Sequence, residues 1–362
     1  MPQDPFFRAS TGSFSCLATV DPVNKDRSDA ASAYYTPNRL RENLKVITNA
    51  TVEKILFETD DFGQSTATGV QYTHNSESKA VNCNKDVLLA AGALQSPKIL
   101  ELSGIGDVKL LEEHNIPLVA DLPGVGENLH DHIMSMISFA AADDIDTIDP
   151  IIRQEPAALE QAQREYVANK SGPFISMGVN TFAYLPVMEY LSEEGRERLE
   201  SLLADNSPPP DSGDSRNHAR AQAYYEIAQK TLRDPKEPTV AYLSFIGQNT
   251  GALQSGAKSL GFNAILCQPL SRGSVHIRSN EPSTAPVLDP KYLSNPVDLE
   301  IFAQHVLYIE TIVRSSPLNS LLKQPLVHRD PSSELTNLET AREWIRKNAV
   351  SMWHVGGSCA SM

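Results

Sequence analysis

The chain has 362 residues, enough to bury a large core and to form about two domains. Its 45 acidic and 31 basic residues leave a formal net charge of −14. Nucleic acids and anionic membranes bind basic surfaces, so this balance argues against both as main partners.

Three further features limit the class of protein. The four cysteines are widely spaced and form no Cys-x-x-Cys pair, which argues against a zinc site and against a disulfide framework. The first residues, MPQDPFFRAS, lack the apolar core of a secretion signal, so we expect a cytoplasmic chain. No run of about 18 apolar residues is present, so we expect no membrane-spanning helix.

The first part of the chain predicts strands. In NLKVITNATVEKILFE (43–58), β-branched residues recur at near-alternate positions, which predicts a strand pair with its turn at residues 49 and 50. TATGVQYTHN (66–75) predicts a further strand after a turn at residues 61–63.

A strand–turn–helix unit is predicted next. KDVLLAAGAL (85–94) is continuously apolar, as expected of a buried strand. SPKILELSGIG (96–106) predicts a short helix with Ser96 as its N-cap and Pro97 at its first position. The N-terminus of such a helix can hold an anion, but close packing of the helix on a sheet explains the glycines equally well.

The middle and later parts predict helices, then an antiparallel sheet. Residues 143–235 are acidic and rich in helix formers, which indicates a solvated helical insertion. Strands return at 240–247 and 262–279, and SRGS within the second stretch predicts the turn of a strand pair. Two helices are predicted near 297–314 and 335–348.

Two glycine-rich runs contain histidines. In LPGVGENLHDH (122–132), His130 and His132 lie on either side of Asp131, which suggests a metal. Because no third ligand follows at a recognisable spacing, hydrogen-bonded loop histidines are the better interpretation. SMWHVGGSCASM (351–362) places His354 before two glycines, a pattern typical of a backbone that another group approaches closely.

Five ordered blocks of the sequence together resemble the glucose–methanol–choline (GMC) family of FAD-dependent oxidoreductases, and their style is most similar to the fungal aryl-alcohol-oxidase-like branch. GALQSPKILELSGIG resembles the second signature of that family, and WHVGGSCASM resembles its catalytic-histidine block. The other similar blocks are LPGVGENLHDH, residues 27–58 and residues 269–300.

The resemblance implies an enzyme that uses FAD to oxidise the CH–OH group of a small-molecule alcohol. In the family, a hydride passes from the carbinol carbon to flavin N5 while a histidine takes the hydroxyl proton. His354 matches that catalytic histidine, and no metal ligand is implied. The positions that match flavin-side contacts, with Val52 near the adenine and Trp353 beside the substrate, are Val52, Gly92, Ser96, Asn128, Trp353 and Gly357.

The resemblance also implies a mixed α+β or α/β fold with two domains. An incomplete FAD-binding domain is expected over 1–135 and again over 346–362, where the catalytic histidine lies. A substrate-binding domain with an antiparallel sheet and helices is expected over 136–345.

The chain departs from the family pattern at both ends. Relatives begin with a Gly-x-Gly-x-x-Gly unit that binds the FAD pyrophosphate, and they continue beyond the histidine block. Neither feature is in this sequence, so we expect a poorly closed flavin-binding part. Two alternatives stay open: an inactive homologue that binds a ligand or another protein, and a family member that performs a non-redox cyclisation.

Overall fold

The computed structural model describes residues 11–16, 18–176, 178–206, 215–248 and 252–360. In chain order, the strands are β1 (Gly12–Ser15), β2 (Ala50–Thr59), β3 (Ser65–His74), β4 (Glu77–Asn82), β5 (Ile105–Gly106), β6 (Ala120–Asp121), β7 (Ile133–Ala140), β8 (Val179–Leu185), β9 (Val240–Phe245), β10 (Ser259–Leu266), β11 (Ser274–His276), β12 (Val287–Asp289) and β13 (Val350–Ser351).

The α-helices are α1 (Thr36–Asn38), α2 (Gly92–Leu102), α3 (Val108–Glu113), α4 (Asp149–Ile152), α5 (Pro156–Asn169), α6 (Pro173–Ser176), α7 (Glu193–Asp205), α8 (Ser215–Arg233), α9 (Pro296–Arg314) and α10 (Leu338–Asn348). A π-helical turn precedes α1 at Ala31–Tyr35, and short 3-10 helices lie at Val187–Glu189, Leu318–Leu321 and Pro331–Ser333.

A six-stranded antiparallel sheet is the largest sheet among the described residues. Its strand order is β1-β8-β9-β10-β7-β13. β10 lies between β9 and β7 and is buried along its whole length, so its sequence SLGFNAIL lacks the polar alternation of a half-exposed strand. The three-stranded sheet β2-β3-β4 is antiparallel, and β5-β6 and β11-β12 form two small sheets.

The main core lies between one face of the six-stranded sheet and the long helices. α9 begins with Pro296 after Asn295, whose side chain accepts a hydrogen bond from the helix, and α10 begins with a capping box. Both helices then place their apolar side against the sheet. The fully or almost fully buried core side chains include Phe139, Phe302, Ile309, Trp344 and Ile345. Each contributes roughly 1.5–3 kcal/mol through removal of apolar surface from water.

The opposite face of the same sheet carries a smaller apolar cluster. Met134 on β7 and Ile265 on β10 are directly opposite each other and buried, together with Ala241 on β9. Partly buried side chains that pack against them are Met136, Tyr184, Leu243, Cys267 and Met352. Because side chains alternate along a strand, His132 directly before β7 shares this face with Met134.

Several sequence predictions are confirmed by the element bounds. The strand at 66–75, the strand at 240–247 and the two late helices agree with β3, β9, α9 and α10 to within a few residues. The part of the 143–235 insertion that the structure describes is mostly helical, but it also contains β8, a member of the six-stranded sheet. The prediction missed this strand because its flanking segments are strong helix formers.

Other predicted elements are wrong. Residues 43–49 form no strand. β2 pairs with β3, and residues 60–64 connect the two strands. β10 and β11 do not pair with each other, since β10 lies between β7 and β9. α2 begins at Gly92 with Pro97 inside it, so Ser96 is a buried helix residue and not the N-cap. The first hairpin turn follows β2 at residues 60–64 and does not lie at residues 49 and 50, and in the second case β11 pairs with β12.

The predicted buried strand at 85–94 is also wrong. Residues 86–90 belong to no strand, and Leu88 is 89% exposed. A strand is stable only when neighbours satisfy its backbone groups, and no neighbouring strand pairs with this segment among the described residues. The apolar run is therefore an exposed apolar surface that leads into α2.

The predicted domain limits stay a prediction. β1 lies within the first predicted domain and β13 within the last segment, but both join the six-stranded sheet. Among the described residues, no helix combines the length and apolar character needed to cross a membrane.

Candidate active site

The site is built where the 122–132 loop runs beside residues 352–358. His130 and Gly356 exchange backbone hydrogen bonds of 3.0 and 2.9 Å. The backbone N–H of Met352 donates to the carbonyl of His132, and that of Gly126 donates to the carbonyl of Ser358, both at 2.8 Å. These bonds fix two distant stretches of sequence as an antiparallel pair.

A buried carboxylate, Asp131, holds the segment that carries His354. Asp131 is only 3% exposed. Its Oδ1 accepts a hydrogen bond of 2.9 Å from the backbone N–H of His354. Its Oδ2 accepts bonds from the hydroxyls of Tyr292, at 2.7 Å, and Ser351, at 2.5 Å. Such bonds to a buried charge are among the stronger hydrogen bonds of proteins, so the backbone position of His354 is well defined.

The sequence analysis missed the role of Asp131. It treated this residue only as a spacer between two histidines. No local signal separated Asp131 from the other polar residues of this loop, because its partners lie more than 150 residues away in sequence.

His354 and His132 are in direct contact. Their Nδ1 atoms are 3.0 Å apart, and the rings meet edge to face with centroids 5.2 Å apart. His354 is exposed, whereas His132 is partly buried. Burial, followed by the nearby charge of His354, lowers the pKa of His132. Two nitrogens at this distance share one proton, so the contact couples the proton positions of both rings.

Asn128 and Gly357 adopt left-handed backbone conformations, with φ of 62° and 82°. The Asn128 amide donates to the carbonyl of Gly357 at 3.3 Å and accepts from Nε of Arg272 at 3.0 Å. A Cβ at Gly357 would lie 2.4 Å from the His130 ring, whereas one at Gly356 would have 3.8 Å of space. The packing of His130 therefore already requires glycine at 357.

Trp353 adjoins His354 but lies open to solvent. Its side chain is 77% exposed, and its φ of 58° is unusual for a residue with a large side chain. The backbone N–H of Trp353 donates to Ser351 Oγ at 2.8 Å, which stabilises the turn. The strained turn presents Trp353 and His354 together at the surface.

The N-terminus of α2 lies beside the same segment. Gly92 opens the helix with a φ of 81°, and a Cβ there would meet nothing within 4 Å. Ser358 Oγ donates to the carbonyl of Ala93 at 2.5 Å, which joins the helix start to the histidine segment. Ser96 lies one turn further along α2 and is buried.

Val52 is linked to the site only indirectly. It lies on β2, opposite Tyr72, and is 38% exposed. β2 contacts the far end of α2, where the N–H of Ile55 donates to Ser103 Oγ at 2.8 Å. The structure therefore brings together Gly92, Asn128, Trp353, His354 and Gly357 but leaves Val52 apart from them.

A second group of ionisable residues contacts the 122–132 loop. His276 contacts Glu101 through Nδ1, at 2.6 Å, and Glu127 through Nε2, at 3.1 Å. The hydrogen bond to Glu101, then that to Glu127, raises the pKa of His276 to about 9. Glu101 is fully buried on α2 and also accepts from the backbone N–H of Ile277. The group ties α2, β11 and the 122–132 loop together, and the sequence analysis did not identify it.

The metal interpretation of the two loop histidines has no geometric support. His130 Nδ1 lies 3.1 Å from the carbonyl of Asn128, and His132 contacts His354. Within the described ranges, no three His, Cys, Asp or Glu side chains come together as a possible metal site.

Family models for GMC oxidoreductases match the chain at residues 8–134 and 269–362. The chain belongs to the GMC oxidoreductase family, as the sequence predicted. Dehydrogenase mpl7 of Monascus purpureus is 33% identical over 99% of this chain and 60% of its own length. GMC oxidoreductase family protein Mala s 12 of Malassezia sympodialis is 31% identical over 99% of this chain and 54% of its own length.

Solved structures share the fold. An FAD-dependent oxidoreductase from Chaetomium thermophilum superimposes with a TM-score of 0.82 at 24% identity, over 97% of this chain and 58% of that protein. A fungal aryl-alcohol oxidase gives 0.77 at 23% identity, over 95% and 57%. These matches confirm the predicted mixed fold, and the flavin-dependent neighbours agree with the prediction of FAD. The chain spans at most about 60% of the length of these relatives.

Proposed function

We propose that this protein is an FAD-dependent oxidoreductase that converts a CH–OH group of a small alcohol into a carbonyl group, with His354 as the general base. The observation that carries the proposal is the exposed His354 ring on a backbone that buried Asp131 holds in place. Imidazole groups in general gain and lose a proton near neutral pH, so a neutral histidine side chain can accept the proton of a hydroxyl group.

The residues around His354 fit the ring end of FAD. Trp353 and His354 are exposed together, and the glycine start of α2 beside them leaves open space where a Cβ would lie. We propose that Gly92, Asn128, Trp353 and Gly357 line the flavin, with Ser96 supporting the first turn of α2. No residue is proposed for the pyrophosphate, because the sequence has no Gly-x-Gly-x-x-Gly run. Val52 stays a proposed adenine contact.

The residues of the chain and the cofactor have separate roles in the proposed oxidation. FAD, when bound, supplies the acceptor for the hydride that leaves the carbinol carbon. His354 takes the hydroxyl proton, so the alcohol loses two electrons and two hydrogens in total. Asp131 stays hydrogen-bonded to the backbone of His354 and keeps the ring position fixed during the transfer.

The sheet face beside His132 supports an apolar substrate. Met134 and Ile265 form its buried centre, and Met352 and Tyr184 pack around them. Such a face stabilises aliphatic or aromatic carbon. We therefore propose that the alcohol is mainly apolar around its reacting carbon.

The test compares His354→Ala with His114→Ala, a histidine at the end of α3 outside the site. Each chain is incubated with FAD, passed through a gel-filtration column and assayed with a panel of apolar alcohols. We expect His354→Ala to retain the same flavin absorbance as the wild type while oxidation falls by about 10²–10⁴-fold. An unchanged rate in His354→Ala would refute the base assignment. A product at the oxidation level of its substrate would favour the cyclisation alternative.

A further inference from the structure

The sheet face that adjoins His354 carries a carboxamide, that of Asn263 on β10, among apolar side chains. We propose that Asn263 is a specificity-determining residue, whose amide hydrogen-bonds a polar group of the alcohol at the end remote from its CH–OH group. The inference rests on the proposed function, because it names the class of alcohol that the same site would take.

The strand register places Asn263 in a row of residues that crosses five strands. Asn263 lies opposite Met136 of β7 on one side and opposite Leu243 of β9 on the other. The row continues from Leu243 to Phe182 of β8, and from there to Phe14 of β1. Asn263 is therefore a hydrogen-bonding side chain between apolar neighbours on both sides.

Side-chain alternation places this row on the face that carries the smaller apolar cluster. Ile265, two residues after Asn263 on β10, packs in that cluster with Met134. The intervening residue, Ala264, packs in the main core on the other face. Residues two apart on a strand point to the same face, so Asn263 shares the face of Ile265 and Met134.

The row lies at a distance from His354 that suits an elongated alcohol. His132 directly precedes β7, and its Nδ1 lies 3.0 Å from Nδ1 of His354. Met136, the β7 partner of Asn263, lies four residues further along the chain. This separation corresponds to roughly 14 Å at the usual rise of a strand. An elongated molecule that presents its CH–OH group to His354 can therefore reach Asn263 with its opposite end.

The surroundings of Asn263 favour a polar ligand group over an apolar one. Asn263 is only 7% exposed, and covering a buried amide with an apolar group costs free energy unless a hydrogen bond compensates. Asn263 takes part in a contact within the protein. A carboxamide has two N–H donors and two acceptor lone pairs, so further sites remain for a ligand. Met136 and Leu243 beside it are only partly buried, which leaves the row accessible.

The test compares two alcohols that differ only at the far end, naphthalene-2-methanol and 6-hydroxynaphthalene-2-methanol. Each is titrated calorimetrically into the full chain without added FAD, so that binding is measured without turnover. We expect the hydroxylated alcohol to bind roughly three- to tenfold more tightly, which is the usual net effect of one hydrogen bond.

Two variants assign the preference to Asn263. Asn263→Leu keeps a similar volume but removes the amide, so it should abolish the preference while naphthalene-2-methanol binds at least as tightly as in the wild type. Asn82→Leu is the matched control, because Asn82 is an exposed asparagine of β4, outside the six-stranded sheet. This control should keep the wild-type preference.

Three results would overturn the proposal: equal affinity of the wild type for both alcohols, a preference that survives in Asn263→Leu, and no binding of either alcohol. If Asn263→Leu fails to fold by circular dichroism, the side-chain amide signals of Asn263 in the ¹⁵N-labelled wild type decide the question. Those signals, assigned by their loss in Asn263→Ser, should shift more with the hydroxylated alcohol than with the other. Equal shifts would refute the contact.

The binding preference and the oxidation are measured separately, so the two proposals can fail separately. A preference that depends on Asn263, in a chain whose oxidation survives His354→Ala, would support the specificity role and refute the base role. Oxidation that is lost in His354→Ala, in a chain without the binding preference, would support the base role and refute the specificity role.

Discussion

The group formed by His276, Glu101 and Glu127 predicts that part of the stability of this protein is lost in alkaline solution. The two glutamates raise the pKa of His276 from 6.5 to about 9, and the hydrogen bond to Glu101 is the larger cause. The His276 side chain is 23% exposed and that of Glu101 is fully buried, so solvent weakens the main contact only partly. The perturbation that tests this is His276→Gln.

The sign and size follow from proton linkage. The folded pKa of His276 lies above the unfolded value, so its contribution is fully present below pH 6.5 and is lost as pH rises toward 9. Each unit of pKa difference corresponds to about 1.4 kcal/mol, so the full contribution is about 3 kcal/mol. Near pH 7.5 about 2 kcal/mol remains, and above pH 9 almost none.

The assay is urea unfolding followed by circular dichroism at several pH values between about 6 and 10, for the wild type, His276→Gln and the control His114→Gln. We expect the gap in unfolding free energy between wild type and His276→Gln to be widest near pH 6 and to close above pH 9. The control should show no such narrowing.

A gap of equal size at every pH would refute the reasoning. It would mean that His276 is neutral in the folded chain and contributes by packing alone. A gap that widened with rising pH would contradict the direction of the pKa shift itself.

Three further predictions concern the site and the core. Asp131→Ala should lower the free energy of unfolding, measured with urea, by about 3 kcal/mol or more, because it removes the acceptor of three hydrogen bonds at a buried position. Asp131→Glu tests whether a carboxylate in a different position is enough to keep that stability. Gly357→Ala should destabilise by about 2 kcal/mol through its positive φ and the His130 ring, whereas the matched Gly356→Ala should cost less than about 1 kcal/mol in the same assay. Burial lowers the pKa of His305 to about 3. The free energy of unfolding should therefore fall as pH drops below 6.5, since only the unfolded chain takes up that proton. In urea unfolding at several pH values, His305→Leu should reduce this loss of stability at acid pH.

Short stretches of sequence determined the family and several elements. Five ordered blocks, among them GALQSPKILELSGIG and WHVGGSCASM, together placed the chain among GMC oxidoreductases. The strand at 66–75 and the two late helices were predicted from short stretches of sequence, since the signals for such elements act over a few residues. The base role of His354 came from the resemblance of its block to the catalytic-histidine block of the family, and it stays a prediction.

Tertiary structure decided which segments meet. The segment 85–94 was predicted to be a buried strand, but a strand forms only where a partner pairs with it, and among the described residues no strand pairs with this segment. β8 lies in a helix-forming region and becomes a strand because β1 and β9 flank it. The contacts of His354 with Asp131 and His132 span more than 220 residues, so no local pattern contains them. The sequence by itself determined the chemical groups of this protein, and only the fold, through long-range backbone pairing, decided which of those groups share a proton.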